Sequence, residues 1–200
     1  MSLDLEKFKN RTPHLIGEDK AFKAAVCIAL IETADDYDIV FEVRSGRNPR
    51  QPGDVCLPGG GVEIGESYQE AAIRETCEEL LIKPDQIKII GASDILYSKN
   101  MLVYPYVGIL TGYEGTFAEN EVAETFRVPI RFFREAQPKQ FVYESATRPG
   151  DDFPFELIPG GRSYQWHVQK TEEYFYEYEG HVIWGLTARI VRAFLEIVKT

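Results

Sequence analysis

The chain has 200 residues, 44% hydrophobic and 27% charged, and 22 Lys+Arg against 32 Asp+Glu give a net charge of −10. That length suits one domain with its own core, and the acidic balance argues against general binding to nucleic acid or anionic membranes, which want a basic surface. No apolar run is long enough to span a bilayer, and the charged opening residues do not read as a signal peptide.

In chain order, residues 1–20 are expected to be an N-terminal extension of a single domain over 1–200, with Leu5 and Phe8 anchoring a short amphipathic helix. Residues 24–31 are almost continuously apolar, which predicts a strand buried on both faces. The polar cluster Asp35-Asp36-Tyr37-Asp38 then predicts a turn, and residues 39–43 a second strand of the same hairpin. Residues 44–52 form a basic loop carrying Arg44, Arg47 and Arg50. A short strand at 55–57 leads into Pro58-Gly59-Gly60-Gly61.

Ser67-x-x-Glu70 is a capping box and starts a helix. Ile73, Cys77 and Leu80 make its docking face, away from the side bearing Glu75 and Glu79, and Pro84 predicts that it ends near Lys83. Strands are predicted near 88–96, 102–110 and 124–128, with a short helix at 131–135. Residues 141–180 read as an irregular aromatic insertion with strand-like pieces at 164–168 and 174–178. A terminal helix over 185–199 carries an apolar stripe from Leu186 to Val198, with Trp184 and Thr187 setting it in the core. Strands with two main helices predict a mixed sheet covered on both sides, an α/β/α sandwich.

The chemistry concentrates between Gly59 and Glu79, where six glutamates lie on and beside one helix. Glu75, Glu78 and Glu79 are spaced i, i+3 and i+4, so they share a helix face and repel one another. A bound cation resolves that repulsion, and all-oxygen ligands suit Mg²⁺ or Mn²⁺. The bland alternative is a solvated acidic face beside a glycine turn. Cys27, Cys56 and Cys77 show no Cys-x-x-Cys spacing and read as free thiols of a cytoplasmic protein. The scattered His14, His167 and His181 suggest no zinc site.

Gly60, five residues, Glu66, seven residues, then Arg74-Glu75-x-x-Glu78-Glu79 resembles the box of the Nudix hydrolases, Gly-x5-Glu-x7-Arg-Glu-U-x-Glu-Glu-x-Gly-U with U aliphatic. Thr76 replaces an aliphatic residue, a mild change, and Leu81 replaces the second glycine, which puts the usual helix-ending turn in question. The resemblance implies a Nudix-type α/β/α sandwich with a mixed sheet and a loop–helix–loop metal site. Glu75, Glu78, Glu79 and the Gly59 carbonyl would hold Mg²⁺ or Mn²⁺, Glu75 is one candidate general base, and Glu66 and Arg74 would support them. Glu121, beyond the box, would add a metal ligand or activate water; its bland reading is a surface acid at a strand end.

Upstream, Arg44-Ser45, Gly53 and Leu57-Pro58-Gly59-Gly60 resemble the extra motif of the coenzyme A pyrophosphatase branch, roughly Leu-Leu-Thr-x-Arg-Ser-x3-Arg-x3-Gly-x3-Phe-Pro-Gly-Gly. Pro49 stands at its inner arginine, Glu42 at its threonine and Leu57 at its phenylalanine. Downstream, Ile183-Trp184-Gly185-Leu186-Thr187-Ala188-Arg189 is similar to the same branch's C-terminal signature. The resemblance therefore implies hydrolysis of coenzyme A or acyl-coenzyme A, with Arg44, Arg47 or Arg50 on the 3′-phosphate. The aromatics of 141–178 would wall a groove for the pantetheine arm, or else belong to the core or a dimer contact. The family implies a small-molecule substrate, neither nucleic acid nor membrane as partner, and a homodimer. Two alternatives stand: the same chemistry on ADP-ribose, dinucleotides or nucleoside triphosphates, and a nucleotide-sensing Nudix module without catalysis.

Overall fold

The computed structural model describes residues 5–47 and 51–199. The apolar run near the N-terminus forms β1 (Phe22–Glu32), and its side chains alternate between two cores. Ala24, Ile28 and Leu30 point to one side, while Ala25, Cys27 and Ala29 point to the other. A strand covered on both faces has no reason to alternate polar with apolar residues, which is why the run is continuous.

The expected hairpin follows: β2 (Tyr37–Arg44) pairs antiparallel with β1, and the Thr33 hydroxyl donates to the Asp36 carbonyl at 2.8 Å across the turn. Then come β3 (Val55–Cys56), β4 (Gly59–Gly61), β5 (Ile87–Ala92), β6 (Leu96–Ser98), β7 (Met101–Leu110) and β8 (Val122–Pro129). The sheet runs β3-β2-β1-β7-β5, with β4 on β1, β6 on β7 and β8 on β2. β1 and β7 are parallel and the other ladders antiparallel, so the sheet is mixed as expected.

Helix α1 (Tyr68–Leu80) covers one face, packing on β1 and β4. The contact surface there is made of small residues, Ala25 against Ala71 and Ala72, so the helix backbone lies close to the sheet. The short α2 (Ile130–Glu135) lies against β2 and β8. On the opposite face α3 (Gly185–Val198) seats Ile190, Val191, Phe194 and Leu195 in the main core with Ile28, Phe41 and Val128. Two helical layers over a mixed sheet make the α/β/α sandwich.

Several local expectations change. Residues 141–180 are irregular only in part: 147–167 hold no strand, but β9 (Lys139–Ala146), β10 (Val168–Tyr178), which contains the strand expected at 174–178, and β11 (His181–Ile183) make a second, three-stranded antiparallel sheet. The pattern is hidden because every β9 residue is exposed, so neither face selects apolar side chains. Residues 164–167 lie outside any strand, which begins only at Val168. Helix α1 stops at Leu80, before Lys83, because Leu81 turns left-handed at φ 53°. The helix-ending turn is therefore kept without the second glycine. Leu5 and Phe8 lie on a 3₁₀ turn, not an amphipathic helix, and are exposed rather than buried against the core. Thr187 is buried and donates to the Val55 carbonyl at 3.0 Å, whereas Trp184 lies at the surface and stacks on Phe175.

Candidate metal and active site

The site is built where the glycine turn of β4 meets α1. Ser67 caps the helix through the Glu70 N–H, and the Glu70 carboxylate accepts from the Ser67 N–H at 2.8 Å. This reciprocal pair fixes where the helix starts, and hence the angular position of every glutamate on it.

Arg74 organises the acids. Its Nε and Nη2 fork onto Glu66 at 3.1 and 2.8 Å, and Nη1 donates to Glu75 at 2.9 Å and Glu78 at 3.2 Å. Nη2 also donates to the Gly61 carbonyl at 3.0 Å, tying the helix to the turn. Bidentate, charge-assisted bonds of this kind fix orientation as well as adding energy. The Arg74 bonds, with the Glu63 N–H, hold the Glu66 carboxyl below its usual range.

Glu79 corrects the expected helix faces, because it lies on the buried side, 4% exposed, with Thr76 and Leu80. Its Oε2 accepts from the Gly59 N–H at 2.7 Å. Burial, with the Glu42 charge second, holds its carboxyl well above the ordinary range. Glu75 is half-buried and raised, chiefly by burial and against the pull of Arg74. Glu78 is exposed.

The glycines leave room for this arrangement. A Cβ on Gly60 would overlap the Glu75 carboxylate, and one on Gly59, at φ +149°, would run into Ala25 and Val26 backbone. The turn thus admits helix carboxylates to within contact of its backbone.

Sequence reasoning passed over one group, noting Glu42 only as a departure from a motif. It lies on β2, 1% exposed, and its Oε1 accepts from the Cys56 thiol at 3.2 Å. Burial raises its carboxyl, Arg44 opposes that, and Glu121 and Glu75 add to it. The signal was available: an acid amid Ile39, Val40, Phe41 and Val43 of a buried strand is rare without a partner.

Of the other expected residues, Arg44 is partly buried and acts electrostatically on Glu42 and Glu79. Arg47 is exposed, its N–H on the Ser45 hydroxyl at 3.3 Å. Arg50 lies outside the described residues. Glu121 is exposed, and its carbonyl accepts from the Ser45 N–H at 2.8 Å. The structure thus gathers Glu66, Arg74, Glu75, Glu78, Glu79 and Gly59 at one turn, with Arg44 and Glu121 close enough to affect their charge.

Among the described residues no three His, Cys, Asp or Glu side chains are drawn in closely enough to form a finished metal cage. The donor set nevertheless fits a hard divalent ion by its chemistry. It is all oxygen, and two buried acids, Glu42 and Glu79, face each other's charge. Arg74 spends its bonds on Glu66, Glu75 and Glu78 instead.

A NUDIX domain family model matches residues 21–148. The mouse peroxisomal coenzyme A diphosphatase NUDT7 is 31% identical over 134 residues, 66% of this chain and 56% of that protein. The chain therefore spans little more than half the length of that relative. A Nudix hydrolase of Citrobacter koseri, NudL, is 30% identical over 94% of this chain and 89% of its own. Among solved structures, a MutT/nudix family protein of Enterococcus faecalis aligns over 98% of this chain and 70% of that one, with 16% identity and a TM-score of 0.49.

Proposed function

The chain belongs to the NUDIX domain family, and from that premise we propose that it is a metal-dependent pyrophosphohydrolase acting on coenzyme A or its acyl derivatives. Water attacks one phosphorus of the pyrophosphate, the bridging P–O bond breaks, and the products are 3′,5′-ADP and 4′-phosphopantetheine, or its acylated form. The observation that carries the reading is the Arg74 clamp: one guanidinium holds Glu66, Glu75 and Glu78 beside the turn that anchors Glu79.

Glu75, Glu78, Glu79 and the Gly59 carbonyl would hold Mg²⁺ or Mn²⁺. Such an ion would supply charge that neutralises phosphate oxygens and makes water a stronger acid. The protein's own groups do the rest. Arg74 fixes carboxylate orientation, and the Gly59 N–H pins Glu79. Glu75 or Glu121 takes the proton from the attacking water. Arg44, Arg47 or Arg50 binds the 3′-phosphate, for which a guanidinium fork is well shaped. The coenzyme assignment is supported by the Arg44–Gly60 motif and by the name of the mouse relative. Three unpaired thiols, Cys27, Cys56 and Cys77, suit a reducing compartment such as the cytosol.

The test is incubation of the protein with coenzyme A and Mg²⁺ or Mn²⁺, beside Glu79→Gln, with products separated by mass. The expected result is 3′,5′-ADP with phosphopantetheine, reduced at least about a hundredfold in the variant. Equal turnover of 3′-dephospho-coenzyme A moves the substrate to ADP-ribose or dinucleotides, and binding without turnover of any of these leaves a sensing module.

A further inference from the structure

We infer that Glu42 is a further ligand of the divalent metal, contributed from the central sheet and absent from the helix motif. This rests on the metal-dependent reading above and deepens it.

Glu42 sits on β2, where its neighbours across the ladders are Cys56 on β3 and Thr125 on β8. The side chain is 1% exposed. One oxygen is held in place, Oε1 accepting from the Cys56 thiol at 3.2 Å. The other, Oε2, is buried and has no hydrogen-bond partner among the described residues. A buried carboxylate oxygen in that state carries a large desolvation cost.

The acids acting on Glu42 are those of the site itself. Glu75 and Glu121 act on it, and it acts on Glu79. The opposing charge is Arg44. A cation held by Glu42 together with the α1 carboxylates would give Oε2 a partner and offset the repulsion in one step. Burial is acceptable for a charge that ligates a metal, and oxygen is the donor that Mg²⁺ and Mn²⁺ prefer. The pyrophosphatase motif carries threonine here, so Glu42 is a departure from that motif. A ligand with a second negative charge would tighten metal binding and stiffen the site, because β2 is fixed by pairing on both edges.

The experiment is a Mn²⁺ titration followed by the electron paramagnetic resonance of the free ion, with melting in EDTA measured in parallel. The proteins are the wild type, Glu42→Gln and Glu42→Thr, the last restoring the motif residue. Both variants are expected to melt in EDTA no lower than wild type and to bind Mn²⁺ at least about tenfold more weakly, or to take up one ion fewer. Unchanged affinity and count in both variants would overturn the assignment while leaving the metal-dependent reading intact. Loss of the fold in EDTA in both variants would make Glu42 a structural group and also overturn it. A wild type that takes up no Mn²⁺ would bring down the metal-dependent reading and this inference together.

Discussion

At the scale of single residues, the site depends on atoms that are missing as much as on those present. Gly60 has no side chain, and the Glu75 carboxylate occupies the place where one would be. Gly60→Ala should therefore leave the fold in place but push Glu75 off the Arg74 Nη1 bond. A displacement near 1 Å of a group in a catalytic constellation costs about a hundredfold in rate, and steady-state kinetics against unchanged melting would check this. Spacing made the box glutamates legible in the sequence. Their separate environments were not. Glu79 and Glu78 are neighbours in sequence, yet one is buried on a backbone N–H and the other faces solvent. Only the angle at which α1 docks on the sheet decides between them. Glu42 escaped for the same reason: β2 reads as a strand, but what its side chains meet depends on segments far away in sequence.

At the scale of elements, α1 shows how local signals set boundaries and where tertiary structure overrides them. Its start is written in Ser67 and Glu70, and the two bonds predicted by the capping box are present. Its end was expected at Lys83 and comes at Leu80. The Ile82 N–H bonds the Cys77 carbonyl at 3.2 Å, closing the helix with Leu81 at φ 53°. A left-handed conformation costs a non-glycine residue about 1–2 kcal/mol, and Leu81 is 59% exposed, so little packing offsets it. Leu81→Gly should thus stabilise the protein by about 0.5–1 kcal/mol, less than the full strain because glycine loses more entropy on folding. Urea denaturation at constant slope would measure it; a destabilised variant would show that the Leu81 side chain makes contacts worth more than the strain.

At the scale of the whole molecule, the protein is a well-covered sheet with a thin appendage. β1 lies between layers, with Ala25, Cys27, Ile28 and Ala29 fully buried, whereas all of β9 is exposed and pairs along β10. Opening free energy follows buried contact. In hydrogen–deuterium exchange, β9 amides should exchange at least about a hundredfold faster than those of β1; comparable rates would mean that β9 is covered in solution, as in a dimer through that edge. By itself the sequence determined the elements whose signals are local or periodic: the doubly buried β1, the capped α1, the amphipathic α3 and the spacing of the metal-site acids. Those follow from turn chemistry and from side-chain repeats that act within a few residues. Tertiary structure alone decided the strand β9 and its pairing with β10, the burial of Glu79 and that of Glu42. Each of those depends on which distant segments meet, and no short-range pattern encodes that.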